Sequence, residues 1–74
     1  MDLEQLTVQL RREGYRIWAH DSGDTWHVSL ACSVEVLPAS VPRPHGSGVT
    51  LVSAIQEAII CRNEIVAGLK KGAA

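Results

Sequence analysis

The spacing of hydrophobic residues changes three times along this chain, and each spacing predicts a different element. Leu3, Leu6 and Leu10 recur at helical intervals with Val8 off the stripe, which predicts a helix over about 2–13. Asp2 is placed to cap it, and Gln5 stands where a capping box requires it. Arg11 and Arg12 fall in the last turn, where cations suit the helix dipole, and Gly14 is a natural stop.

From Tyr15 the period becomes two. Tyr15, Ile17 and Ala19 share one face, and Arg16, Trp18 and His20 share the other. Asp21-Ser22-Gly23-Asp24 reads as a turn, with Gly23 free to take a positive φ. Alternation resumes at Thr25. Trp26, Val28, Leu30, Cys32, Val34 and Val36 lie on the side expected to be dry, opposite Thr25, His27, Ser29, Ala31, Ser33 and Glu35. This predicts a half-buried antiparallel hairpin over about 15–37. A turn centred on Ser22-Gly23 pairs Trp18 with His27 and Arg16 with Ser29 outside. Inside, it pairs Ala19 with Trp26, Ile17 with Val28 and Tyr15 with Leu30. The second strand outruns the first, so residues 31–37 need a further partner. Either a third strand or a second copy of the chain would serve, giving a monomer or a homodimer through residues 31–37.

Pro38, Pro42, Pro44, Gly46 and Gly48 punctuate the connection 38–49, where a short third strand is expected near Val41 or His45–Gly48. The last segment predicts a helix over about 50–69, with Thr50 as cap and Lys70, Lys71 and Gly72 closing it. Its apolar face comprises Leu51, Ala54, Ile55, Ala58, Ile59, Ile65, Val66 and Leu69. Arg62 lands near the centre of that face and Ile60 near the centre of the polar one. The expected architecture is one α+β domain over 1–74, in the order α-β-β-(β)-α, with two helices packed on one face of a small antiparallel sheet.

Composition narrows the function more than it defines it. At 74 residues the chain is too short for a cleft between two lobes. No apolar run approaches the roughly 20 residues of a membrane span. Met1-Asp2-Leu3-Glu4 is unlike a signal peptide, so a cytoplasmic location is expected. Seven basic against eight acidic side chains argue against a general polyanion binder. The acidic excess lies in residues 1–37, net −3, and the basic excess in residues 38–74, net +2. Cys32 and Cys61 read as reduced, buried thiols rather than a disulfide framework.

No set of residues suggests catalysis. His20, His27, His45, Cys32 and Cys61 lack the short paired spacings of a metal site. Asp21 and Asp24 are explained as turn formers, and Gly46-Ser47-Gly48 as a flexible connector rather than an anion cradle. Neither an enzyme nor a cofactor is expected. The informative feature is the outer face of the hairpin, where Arg16, Trp18, His20 and His27 gather beside the acidic Asp21, Asp24 and Glu35. Tryptophan and arginine are the residue types most enriched at binding hot spots. Trp18 has a second account, packing over its cross-strand neighbour. Arg62 has two as well: lying along the core edge with its head in water, or facing a partner together with Ile60.

The order helix, hairpin, weak strand, helix resembles the double-stranded-RNA-binding domain. That family grips phosphates with lysines at the start of its second helix, where this chain has Leu51, Val52 and Ser53. The junction Gly46-Ser47-Gly48-Val49-Thr50-Leu51-Val52-Ser53-Ala54-Ile55-Gln56-Glu57-Ala58-Ile59 resembles HicB-type antitoxin domains. Small size, near-neutral charge and the lack of a catalytic set resemble phage-encoded anti-CRISPR-type inhibitors in general character. That resemblance implies a small protein-binding inhibitor, encoded by a phage or mobile element, that sterically blocks a nucleic-acid-acting host complex. Its contact residues would be Arg16, Trp18, His20, Asp21, Asp24, His27, Glu35 and Arg62. The HicB resemblance implies instead an antitoxin or regulator that binds a small toxin. Direct RNA binding would require Arg11, Arg12, Arg43, Lys70 and Lys71 to converge.

Overall fold

The computed structural model describes residues 2–72. Met1, Ala73, Ala74 and the side chain of Lys71 lie outside the described residues. Helix α1 (Leu3–Arg12) is followed by strands β1 (Arg16–Asp21), β2 (Trp26–Ala31) and β3 (His45–Gly48), then helix α2 (Leu51–Gly72). The three strands form one antiparallel sheet in the order β1-β2-β3. The fold is α+β with both helices on one face.

Local chemistry sets both helix starts. At α1 the Gln5 amide donates to Asp2 Oδ1 at 2.8 Å, and the Asp2 amide donates to Gln5 Oε1 at 3.2 Å. This is the capping box read from the sequence. At α2 the Ser53 amide donates to Thr50 Oγ1 at 3.1 Å, and the Thr50 amide donates to Ser53 Oγ at 3.2 Å. Serine thus takes the returning role that glutamate or glutamine more often fills. The end of α1 is a Schellman motif. Gly14, at φ +93°, donates to the Arg11 carbonyl at 3.1 Å, and Tyr15 donates to the Leu10 carbonyl at 2.9 Å. Tyr15 and Leu10 both enter the core, which is the apolar contact that accompanies this motif.

One core joins the elements. Leu6 and Leu10 from α1, Tyr15, Val28 and Leu30 from β2, Leu37, and Ala54, Ile55 and Ala58 from α2 are all buried. The hairpin register differs from the expected one by two residues: Trp18 pairs with Ser29, His20 with His27 and Ile17 with Leu30. Tyr15 precedes the strand instead of pairing with Leu30. The cause is that the loop, Ser22–Thr25, is centred on Gly23-Asp24, one residue later than the expected centre at Ser22-Gly23. In it Asp21 Oδ1 accepts from the Gly23 amide at 2.8 Å, the Ser22 amide donates to the Thr25 carbonyl at 3.0 Å, and Gly23 takes φ +112°. A shift of two leaves every side chain on its expected side of the ladder, because strand side chains repeat with period two. On β1, however, the side expected to be dry is only partly covered: Ile17 is half-buried and Ala19 is exposed.

The longer second strand is not formed. Strand β2 ends at Ala31, opposite the first residue of β1, and beyond it neither neighbour offers a ladder. The chain turns instead, with the Val36 and Leu37 amides donating to the Ser33 carbonyl. Val34, expected dry, is 64% exposed, Val36 lies at the surface, and odd-numbered Leu37 is buried. Cys32 is half-buried, as is Cys61, and neither is in a disulfide. Arg43 holds this loop down, donating to the Leu37 carbonyl at 3.1 Å and to Cys32 Sγ at 3.0 Å. Without an open strand at 31–37, the ground for pairing two copies there is gone.

The third strand falls at His45–Gly48, so Gly46-Ser47-Gly48 is sheet rather than flexible connector. Its inward positions are the two glycines. A Cβ on Gly46 would meet the backbone of α2 at Ala58 N and lie 2.6 Å from the Ala54 carbonyl oxygen. The helix backbone therefore rests on the strand backbone at Gly46, and Ser53 and Ala54 rest on Gly48. Trp26 is half-buried beside this contact rather than enclosed. Replacing Trp26 with alanine should cost about 2–3 kcal/mol in a urea melt, near the lower end for large aromatic truncations because part of the ring already meets water.

Candidate protein-binding face

The side of the sheet away from the helices carries the outward residues of all three strands. Across it run the rows Trp18–Ser29–His45 and His20–His27–Ser47, with Arg16 opposite Ala31 beyond them. All of these side chains are exposed except half-buried Ala31. Trp18 is 66% exposed. Its cross-strand neighbour is the small Ser29, which offers little for the indole to pack over. The His20 and His27 rings stack at a centroid separation of 6.2 Å and 26° between planes. His27 Nε2 lies 3.2 Å from Ser22 Oγ, so the loop helps orient that ring.

Strand β3, at the second of the two places expected for it, adds His45 and Ser47, which were not among the expected contact residues. The signal for them is in His45-Gly46-Ser47-Gly48, where polar side chains alternate with glycines. Three imidazoles thus share one face, yet among the described residues no group of three His, Cys, Asp or Glu is placed to hold a metal ion.

The remaining expected contact residues fall elsewhere. Asp21 ends β1 on the inward alternation, and its carboxylate caps the hairpin loop. Asp24 stands in that loop and accepts from the Thr25 hydroxyl at 3.3 Å. Glu35 is exposed in the turn after β2, away from the ladder that was to carry it onto the ribbon. Arg62 follows neither account given to it. Its guanidinium pairs with Glu13 at the α1 C-cap, lies 5.5 Å from the Tyr15 ring centroid, and donates through Nε to Asn63 Oδ1 at 3.1 Å. It fastens α2 to the end of α1. Ile60 is exposed, as its place on the polar face implies.

Burial pushes the Tyr15 phenol above its ordinary value near 10, and the Arg62 guanidinium offsets this only in part. A raised acid favours the folded state while the phenol is protonated. That contribution is complete below the unfolded value and lost as pH rises through the folded one. Phenolate absorbance should therefore appear at higher pH in the native chain than in the chain unfolded by urea. Equal midpoints would mean that Tyr15 is open to water.

Comparison of the chain with protein-family models, curated proteins and solved structures found no match. Among the described residues no helix is long and apolar enough to cross a membrane.

Proposed function

We propose that this is a non-catalytic, cytoplasmic protein-binding domain of a phage or mobile element that inhibits a nucleic-acid-acting host complex by covering its surface. The observation that carries this reading is Trp18, two-thirds exposed on the sheet face away from the helices. It stands between Arg16 and His20 on its own strand, with His27 diagonal to it on β2 and His45 at the far end of its row beyond Ser29. An indole left in water opposite a serine contributes little to the fold, whereas buried at the centre of an interface it is the kind of residue that dominates binding. Asp24, exposed in the hairpin loop at one end of the sheet, adds a negative charge suited to a basic nucleic-acid-binding surface. Inhibition is then steric, with the domain and the nucleic acid competing for one site.

The experiment is affinity capture from host lysate, identification of the captured complex, and a nucleic-acid-binding assay on it with the domain added. Displacement of nucleic acid by the domain supports the proposal. Capture of a small ribonuclease would point instead to a HicB-type antitoxin. The close β3–α2 junction, with Gly46 against Ala54 and Ala58, is the feature that favours this second reading. Direct RNA binding has less support, since Arg43 is turned inward onto Cys32 and Leu37.

A further inference from the structure

The sheet has two free edges, and they differ. Strand β3 is four residues long, contains two glycines and follows a buried proline. Strand β1 is six residues long, pairs in unbroken register with β2 and, among the described residues, has no strand on its other side. Proteins blunt such edges with proline, bulges, a covering helix or loop, inward-pointing charges, or charged side chains, lysine above all. In β1 the charges stand at the two ends, Arg16 and Asp21, and residues 17–20 between them carry none of these devices. Arg16-Ile17-Trp18-Ala19-His20-Asp21 contains neither proline nor lysine, and its register shows no bulge. Every second residue of β1 therefore turns its backbone N–H and C=O away from the sheet with no strand to receive them.

A groove beside β1 is lined by Arg11, Gly14, Tyr15, Arg16, Ile17 and Trp18. Its charged members are both arginines. The one ion pair among the described residues joins Arg62 to Glu13, so Arg11 and Arg16 have no carboxylate partner there. A second copy of β1 would serve this edge poorly. In the two-fold antiparallel register centred on Trp18, Arg16 would face His20 of the other copy, again without a carboxylate.

We propose that the free edge of β1 receives an extended acidic segment of the partner protein as a fourth strand, with carboxylates on Arg11 and Arg16. Backbone pairing supplies the affinity and the two guanidiniums select the acidic sequence, the division of labour usual in strand addition. The inference rests on the proposed function only in taking the partner to be a protein, and it names the kind of segment bound.

The test uses the whole chain and a fluorescein-labelled peptide of about eight residues alternating valine and glutamate, a common strand length, followed by anisotropy. Saturable binding is expected, roughly tenfold weaker for Arg16→Gln, which removes a charge-assisted contact from an exposed position. The same peptide N-methylated at alternate residues should not bind, since it cannot form the ladder. Equal binding of the N-methylated peptide, equal binding of a valine–lysine peptide, or no binding of the acidic peptide would overturn the proposal. So would light scattering that shows the chain to be a dimer which the peptide does not dissociate. N-methylation acts on the edge alone, whereas His27→Ala acts on the outer face at a residue outside the groove, so failure of one reading is distinguishable from failure of the other.

Discussion

Gly46→Ala should destabilise the chain by about 3 kcal/mol or more, the upper range for forcing an extra carbon into a packed core. The added Cβ would meet backbone rather than a flexible side chain, at Ala58 N and the Ala54 carbonyl oxygen of α2. Those atoms belong to a hydrogen-bonded helix and cannot step aside singly. The helix would have to lift off β3, opening the contact that also buries Ala54, Ile55 and Ala58. A chain of this size has roughly 4–11 kcal/mol of total stability at the usual 0.05–0.15 kcal/mol per residue. The loss is therefore a large share of the whole, and a urea melt should show a much lower midpoint. Ser47→Ala, one position away on the wet face, is the control and should change stability by no more than about 0.5 kcal/mol. A Gly46→Ala midpoint equal to the parent's would mean that α2 does not rest on β3 as described.

Trp18→Ala should weaken binding to the captured partner by about 2 kcal/mol or more, while shifting stability by no more than about 0.5 kcal/mol. The separation follows from where the indole stands. Both helices lie on the far face of the sheet, Trp18 belongs to no part of the core, and the residue across from it is a serine. Removing it opens no cavity in the core, because the ring is two-thirds in water and packs against none of the buried cluster. Trp26→Ala supplies the contrast, because that ring packs against the core from the other face of the sheet. Calorimetry against the partner together with urea melts of both variants checks the pair of outcomes. Were Trp18→Ala to lower the melting midpoint as far as Trp26→Ala, Trp18 would be a fold residue and the docking face would lose its centre.

Arg62 shows how a sequence pattern can be read correctly and still leave a role undefined. The spacing put a cation at the middle of an apolar stripe, and the structure keeps it there. What the spacing could not supply was Glu13, 49 positions earlier, whose carboxylate the Schellman turn at Gly14 brings over the helix. The Val34-Glu35-Val36 stretch shows the converse. Its alternation is as regular as that of β2, yet a strand needs a partner ladder as well as a pattern, and at Ala31 both neighbours have run out.

The sequence alone determined the features that depend on residues close together in the chain. These are the Asp2–Gln5 cap, the Gly14 stop, the Thr50 start, and the division of β2 into a wet and a dry face, which a two-residue register shift cannot disturb. Tertiary structure decided what depends on distant partners. It ended β2 at Ala31, buried Leu37 in place of Val34 and Val36, turned Arg43 and Arg62 inward, and brought His45 beside Ser29, in one row with Trp18. The physical reason is that caps and turns are satisfied within a few residues, whereas a strand's length and a charge's partner depend on what the rest of the chain brings alongside.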